Sequence, residues 1–478
     1  MANDERPTIS VGSGSTDSTP SDAEGVAIAC LRAGIEAALP ETVVADAVSL
    51  DGDALRVGDA TYDLGAYDRV VVVGGGKAAD GAAAALESLL GDRIDAGTVV
   101  VDDTGSSAPG GNVDSARSEQ VEQVERIERV VGGHPVPTSD GVEGTERAVE
   151  LARSAGEETL VLAVITGGAS ALFASPVDSV GLSALCETTD AMLSAGADID
   201  EINAVRKHLS RVKGGRFAAA AAPAMVVGVV LSDVVGDDLG VIGSGPIAPD
   251  DSTYAEALDV LDRYGIDAPT VVRDHLERGA RGAEPETPTA DATAFDRVDT
   301  HVIASAATAL DAAATAAKKR GYDPLILSSR IRGEAREAGV THAAIAEEIV
   351  DSGNPLDPPA LVLSGGETTV TVEGDGTGGP NLECVLAAGI EFASPDSPVQ
   401  GRSVAFLAAD TDGRDGSTDA AGAVVTPQTI ADAADAADAR AALDDNDALP
   451  ALSERNAVVT TGATGTNVND LRVIVVGE

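Results

Sequence analysis

Short β-branched apolar runs alternate along this chain with Ala-rich stretches of helical character, and each run stops at glycines, acids or hydroxyls. RVVVV (69–73) leads into GGGKAADGAAAALE, TLVLAVI (159–165) into TGGASALF, and AMVVGVV (224–230) into LSDVVGDDLG. Further on, HVIAS (301–305) opens an Ala-rich stretch, ALVLS (360–364) leads into GGETTV, and SVAFLAA (403–409) into DTDGRDGSTDAAGA. Unbroken apolar runs are strands buried on both faces, and strands separated by helices predict an α/β fold on parallel sheets. Ligands of such sheets sit outside the carboxyl ends of the strands, so the polar turns are the places to look for chemistry. A polar, Pro-bearing, aperiodic segment spans 279–296 and reads as a linker or surface excursion. The expected organisation is a disordered or loosely held tail over 1–22, one α/β domain over 23–278, a linker over 279–297 and a second α/β domain over 298–478. A small hairpin is expected just before the first buried strand.

Charge changes this picture. The chain carries 32 Lys and Arg against 79 Asp and Glu, a formal net charge of −47. Self-repulsion on that scale opposes the compact state at low ionic strength, and molar salt, with a Debye length of roughly 3 Å, screens it. The composition is that expected of a protein from an extreme halophile. The acidity then reflects the solvent rather than a partner, and it argues against nucleic acid and anionic membranes. Cys30, Cys186 and Cys384 are far apart and lack CxxC spacing, so neither a disulfide framework nor a zinc site is expected. The N-terminal stretch has no basic region followed by an apolar one, and no apolar run approaches the roughly 18 residues of a membrane span. A cytoplasmic protein is expected.

Against so acidic a background, NAVRKHLSRVKGGRFA (203–218) stands out, with Arg206, Lys207, Arg211, Lys213 and Arg216 around His208. On one continuous helix these side chains would cover neighbouring faces rather than a single stripe. The plain reading is a helix tethered by salt bridges. Molar salt weakens exposed pairs, which favours an anion-directed role for some of them. Gly74, Gly76 and Ala79 follow a strand in GxGxxA spacing, with Asp102 and Asp103 closing the next apolar run. That is a weak dinucleotide fingerprint and supports an oxidoreductase alternative; a tight strand-to-helix turn explains it equally. Lys77 heads the following helix, where backbone N–H groups already favour anions.

Thr166, Gly167, Gly168 and Ser170 form a second glycine turn with hydroxyls, suited to phosphate oxygens. The loops LSDVVGDD (231–238) and DTDGRDGSTDAAGA (410–423) put carboxylates at strand ends. Mg²⁺ in phosphoryl transfer takes one or two carboxylates plus substrate oxygens, although solvated acidic loops would look the same. His134 is fixed between Gly133 and Pro135 and is either structural or aimed at a site.

The stretches GGGKAADG, GGHPVPTSDG, ITGGASALFASP, MLSAGADIDEINAVRKHLSRVKGGRFA, LSDVVGDDLGVIGSGPIAPDDSTYAEALDVLDRYG, LSGGETTVTV, TDGRDGSTDAAGAV and TGATGTNVNDLRVIVVG resemble, in order, the motifs of the MOFRL-type glycerate 2-kinases. The resemblance runs from about Ala27 to the end of the chain. It implies transfer of the ATP γ-phosphoryl group, with Mg²⁺, to the 2-hydroxyl of D-glycerate, giving 2-phosphoglycerate. It also implies a Rossmann-like first domain, a MOFRL second domain and an active site in the cleft between them, in a monomer or homodimer. Members also carry the label hydroxypyruvate reductase, which matches the NAD(P)H-dependent alternative.

Residue by residue, the resemblance makes Lys77 catalytic and aligns Asp233 and Asp412 with the family's SD and TDG aspartates, as base or metal ligand. Arg206 and Lys207 match its RKH motif and are expected to hold the glycerate carboxylate; His134 is also expected to bind the substrate. Gly167, Gly168 and Ser170, together with Gly365, Gly366 and Glu367, are expected to bind nucleotide. One departure stands out: where members read GGRNQE, this chain has GGPNLE (378–383), so Pro380 and Leu382 replace an arginine and a glutamine. Arg and Pro share no chemistry, which adds a third reading, a degenerate paralogue that binds ligand without turnover.

Overall fold

The computed structural model describes residues 9–11, 23–102 and 126–478. The chain divides into two compact units, Val43–Ile303 and, as the other, the described residues before 43 together with Ala304–Glu478.

The first unit is built on a six-stranded sheet of β1 (Arg69–Gly75), β2 (Ala96–Asp102), β3 (Ile127–Gly132), β4 (Thr159–Thr166), β5 (Met225–Leu231) and β6 (Val298–Ala304) in the spatial order β6-β5-β4-β1-β2-β3. β1 is parallel to both β2 and β4, and the β2–β3 and β4–β5 pairs are parallel too. Every residue of β4 is buried, as its unbroken apolar run requires. From β1 the chain passes through the helix Ala79–Leu90 to β2 on one side, whereas β4 lies on the other. The order reverses between β1 and β4, and their carboxyl ends, Gly75 and Thr166, open the two glycine turns singled out in the sequence. The expected hairpin is a three-stranded antiparallel sheet of Val48–Asp51, Ala54–Val57 and Ala60–Asp63.

The other unit is α/β as expected, but its sheet is mixed rather than parallel. Its sheet runs Ser10–Val11, β11 (Val458–Thr460), β10 (Gly422–Val425), β9 (Val404–Asp410), β12 (Asp470–Val476), β8 (Ala360–Gly366) and β7 (Asp323–Ile331). Only β7 and β8 are parallel neighbours; the remaining pairs are antiparallel. β8, β9 and β12 are buried along almost their whole length, so their composition matches that of parallel strands and strand direction leaves no trace in it.

Three expected boundaries shift. The helix Ala23–Ala38, read as the start of the first domain, packs in the second unit, where Cys30, Leu31 and Ile35 share a core with Leu310, Leu471 and Val473. Residues 298–303, read as the start of the second domain, belong to the first unit as strand β6. The expected linker is fastened to the first unit: Glu286 accepts from the Tyr254 N–H at 3.1 Å and lies 3.0 Å from His208 Nε2, and Thr287 is buried. Within the expected tail, Ser10 and Val11 pair with Thr460 and Val459; residues 1–8 and 12–22 lie outside the described residues. Among the described residues no helix is long and apolar enough to cross a membrane.

Candidate active site

The reversal point between β1 and β4 is closed by backbone packing that only glycine permits. Gly74 and Gly76 adopt φ of 142° and 134°, and a Cβ on either would overlap β4, at Val164 and at Thr166. The Lys77 N–H donates to the Gly167 carbonyl at 2.8 Å and the Ala78 N–H to Thr166 Oγ1 at 3.1 Å. The glycines of the GxGxxA pattern are therefore used to join two strands, and the Lys77 and Ala78 amides just before the helix are bonded within the protein. This geometry works against the dinucleotide reading, which needs close backbone approach to a pyrophosphate and free amides. Of its acidic pair, Asp102 ends β2 and Asp103 lies outside the described residues.

Three predicted side chains meet at the next turn. A Cβ on Gly167 would overlap the Asp233 carboxylate, and one on Gly168 would come within 3.1 Å of both Lys77 Cγ and His134 Cδ2. Gly168 takes a left-handed φ of 80°, which lets the turn fold back between these side chains. Behind it, Ser170 Oγ lies 2.8 Å from Ser244 Oγ, which donates to Asn203 Oδ1 at 2.9 Å. A carboxylate, an ammonium-bearing chain and an imidazole thus surround a bare backbone turn. Asp233 suits Mg²⁺, a hard ion that takes one or two protein carboxylates and completes its shell with water and phosphate oxygens. No group of three or more potential metal ligands occurs among the described residues, and such a site needs none.

The basic stretch resolves into residues with different duties. It is not one helix: Ile199–His208 starts at a capping box of Asp198 and Glu201 and ends at His208, and a new helix starts at Arg216. Gly214 and Gly215, with φ of 55° and 73°, break it. Arg211 bonds Ser175 Oγ at 3.0 Å and pairs with Asp178 and Glu146, Arg216 donates to Tyr254 Oη at 3.2 Å, and His208 faces Glu286. These are the tethers of the plain reading. Lys207, expected at the substrate, is buried and bonds Asp250 at 2.9 Å. Burial resists ionisation of Asp250, but the Lys207 ammonium and the Ser252 hydroxyl hold its pKa below the ordinary value. Arg206 differs from all of these. It is half-buried, burial lowers its pKa, Asp190 counters that through space, and among the described residues it makes no hydrogen bond or ion pair.

Gly365, Gly366, Glu367 and Asp412 lie in the other unit. β8 and β9 flank β12 and run in the same direction, and Gly366 and Asp410 both pair with Asp470. The turn carrying Glu367 and the loop carrying Asp412 therefore leave the same end of that sheet. Glu367 is exposed, and Asp412 Oδ1 accepts from the Arg414 N–H at 2.8 Å.

Pro380 is the first residue of the helix Pro380–Phe392, a position whose N–H has no helical partner and where proline is favoured. The next two N–H groups, of Asn381 and Leu382, donate to Asp415 at 2.9 and 2.7 Å. Burial raises the Asp415 carboxyl to about 7, although these backbone bonds pull it down. The helix start is thus capped by the protein's own acid, and Leu382 is a core residue. Sequence reasoning missed this buried network, which continues through Asn381 to Asp470 at 2.7 Å and on to Arg472 at 2.6 Å. A charge in the middle of the apolar run DLRVIVV (470–476) was its one visible sign.

Comparison with known proteins gives this geometry a context. Residues 26–277 match the model of a domain of unknown function, DUF4147, and residues 360–470 that of the MOFRL family. A D-glycerate 2-kinase from Thermotoga maritima is 38% identical over 455 residues, covering 95% of this chain and 98% of its own. A relative from Agrobacterium vitis, provisionally named a hydroxypyruvate reductase, is 39% identical over 86% of this chain and 87% of its own. The crystal structure of glycerate kinase from Thermotoga maritima superposes with a TM-score of 0.77 at 36% identity, covering 95% of this chain and 99% of that one. With a DUF4147 match over more than half of its length, a MOFRL match behind it and full-length similarity to named kinases, the chain belongs to the DUF4147–MOFRL family, in which these glycerate kinases fall.

Proposed function

We propose that the protein is an ATP- and Mg²⁺-dependent glycerate 2-kinase that converts D-glycerate to 2-phosphoglycerate. The observation that carries this reading is the meeting of Lys77, His134 and Asp233 around the Gly167–Gly168 turn at the sheet's reversal point, with a half-buried guanidinium, Arg206, that is unbonded among the described residues of the same unit. Transfer of a phosphoryl group through a loose transition state asks the protein for positioning and charge neutralisation rather than covalent chemistry. In this reading the turn receives phosphate oxygens, Lys77 neutralises charge on the transferring group, and Arg206 takes the glycerate carboxylate with two parallel N–H donors. Lys207 keeps Asp250 as its partner and supports the helix from behind. Asp233 would hold Mg²⁺, which supplies charge neutralisation on the phosphates, or would take the proton of the 2-hydroxyl. Activity of Asp233→Asn at rising Mg²⁺ separates the two: partial recovery marks a ligand, and none marks the base.

The reductase reading is weaker because its glycines are used in strand packing. The paralogue reading is weaker because Pro380 suits the first position of its helix, where Asp415 receives the next two N–H groups. The charge of −47 leads us to propose a halophilic enzyme, working in a reducing cytoplasm that suits its free cysteines. The direct test is incubation with ATP, Mg²⁺ and D-glycerate in molar KCl with separation of 2- from 3-phosphoglycerate. Formation of the 3-phosphate, or no phosphate ester, refutes the assignment.

A further inference from the structure

Lys213 has no role in the reading above, yet it is 1% exposed. Burial drives its pKa well below the ordinary lysine value, and the Arg206 charge adds to this. A buried ammonium without a carboxylate is destabilising, so its retention calls for a positional reason. Its Nζ donates to the Ser170 carbonyl at 2.8 Å and to the Gly243 carbonyl at 3.3 Å. The next two residues extend the contact, with the Gly214 N–H donating to the Ser244 carbonyl at 3.0 Å and the Gly215 N–H to the Gly245 carbonyl at 2.7 Å. Three successive residues thus meet three successive carbonyls. Gly243, Ser244 and Gly245 have φ of 60°, 63° and 66°, and Ser244 keeps a left-handed backbone only because its surroundings hold it there. The Ser244 hydroxyl links Ser170 to Asn203, which lies three residues before Arg206 on the same helix. The charged groups facing this clamp are Arg206 and, beside Gly214, the Lys207–Asp250 pair.

We propose that Lys213 is a positioning residue for phosphoryl transfer, its Nζ clamping the Gly167–Ser170 turn to the Gly243–Gly245 turn and, through Ser244 and Asn203, setting the helix that carries Arg206. It touches no substrate. The inference rests on the kinase reading for its catalytic consequence, but the clamp itself can be observed without turnover.

Lys213→Met removes the N–H donors and keeps the chain length, and Lys213→Arg keeps donors at the end of the chain. In molar KCl, Lys213→Met should lower kcat about a hundredfold, the order that a displacement of about 1 Å produces, with KM for ATP and glycerate within about threefold of wild type. Lys213→Arg should recover at least about tenfold of that loss. Hydrogen exchange at the Ala171, Gly214 and Gly215 amides should rise together in Lys213→Met. Wild-type kcat and unchanged exchange in Lys213→Met would overturn the proposal, as would a loss that follows the thermal midpoint and is not recovered by Arg. If Lys213→Met does not fold, Lys213→Arg decides: kcat within about tenfold of wild type supports the clamp, and a larger loss with unchanged exchange overturns it. If the native protein does not phosphorylate glycerate, the kinase reading fails on that result alone. The clamp then stands or falls on whether the three amides open together.

Discussion

Replacing Arg206 by Ala and, separately, Lys207 by Ala perturbs two neighbouring cations that the fold treats in opposite ways. Arg206 has no hydrogen-bond or ion-pair partner among the described residues, so its removal strands nothing, and stability should change by no more than about 0.5 kcal/mol. Its proposed contact is a two-bond pairing with the substrate carboxylate. Hydrogen bonds to charged groups contribute about 1.5–3 kcal/mol, and each 1.4 kcal/mol is tenfold, so KM for glycerate should rise about ten- to hundredfold with KM for ATP nearly unchanged. Lys207 bonds Asp250 at 2.9 Å, and the side chains are only 11% and 4% exposed. Removing that ammonium leaves a buried carboxylate unpaired, at a cost of about 3–5 kcal/mol. Lys207→Ala should therefore melt well below wild type while its folded fraction keeps a near-native KM. The assay pairs thermal or urea unfolding with initial rates at varied glycerate, all in molar KCl. An Arg206→Ala protein as unstable as Lys207→Ala, or one with native KM for glycerate, would refute the assignment of Arg206 to the substrate.

Lys77→Ala should lower turnover at least about a hundredfold, since a preorganised charge at a developing transition state contributes a few kcal/mol, and should melt like wild type; native kcat would remove Lys77 from the site. Pro380→Arg should leave turnover within about threefold, because Asp415 already occupies the helix start, whereas Leu382→Gln should destabilise by about 1–3 kcal/mol by burying an amide in the core; a large gain in kcat for the double variant would restore the family arginine as essential. Burial raises Asp415 to about 7 and depresses His342 to about 4. The folded protein therefore holds a proton that the unfolded chain has lost between about pH 4 and 7, so Asp415 makes stability fall as pH rises, by at most about 1.4 kcal/mol per unit. His342 acts oppositely between about pH 4 and 6.5, where the unfolded chain binds the proton. Asp415→Asn should accordingly make stability rise more steeply with pH across this window, and a parallel profile would show that Asp415 does not titrate there. Finally, the melting temperature should climb between 0.1 M and 2 M KCl as salt screens the net charge, and a flat profile would contradict the halophilic reading.

The first sheet was legible because its inner strands β1, β4 and β5 are almost wholly apolar and are followed by helical stretches, and the turn at Gly167 and Gly168 was legible because glycines after such strands mark ligand edges. Lys77 and Asp233 were placed at phosphoryl chemistry and His134 at the substrate from the sequence, and the fold brings the three to one turn. Strand direction in the second sheet was not legible, since burial on both faces erases the alternation that distinguishes antiparallel strands. The fate of the basic stretch was also hidden. Arg206 and Lys207 are adjacent and chemically alike, and only the fold shows that Asp250, 43 residues away, takes one of them. Pro380 misled for a related reason: lost chemistry is visible in the sequence, whereas Asp415 capping the same helix is not.

The central claim is that Lys77, Asp233 and Arg206 together serve phosphoryl transfer to a small hydroxy acid. It is tested most directly by resolving the products formed by the purified native protein from ATP, Mg²⁺ and D-glycerate in molar KCl. 2-Phosphoglycerate and ADP should form in equal amounts, with no NADH oxidation when hydroxypyruvate replaces glycerate. Absence of 2-phosphoglycerate, or NADH-dependent reduction of hydroxypyruvate by the same preparation, would contradict it.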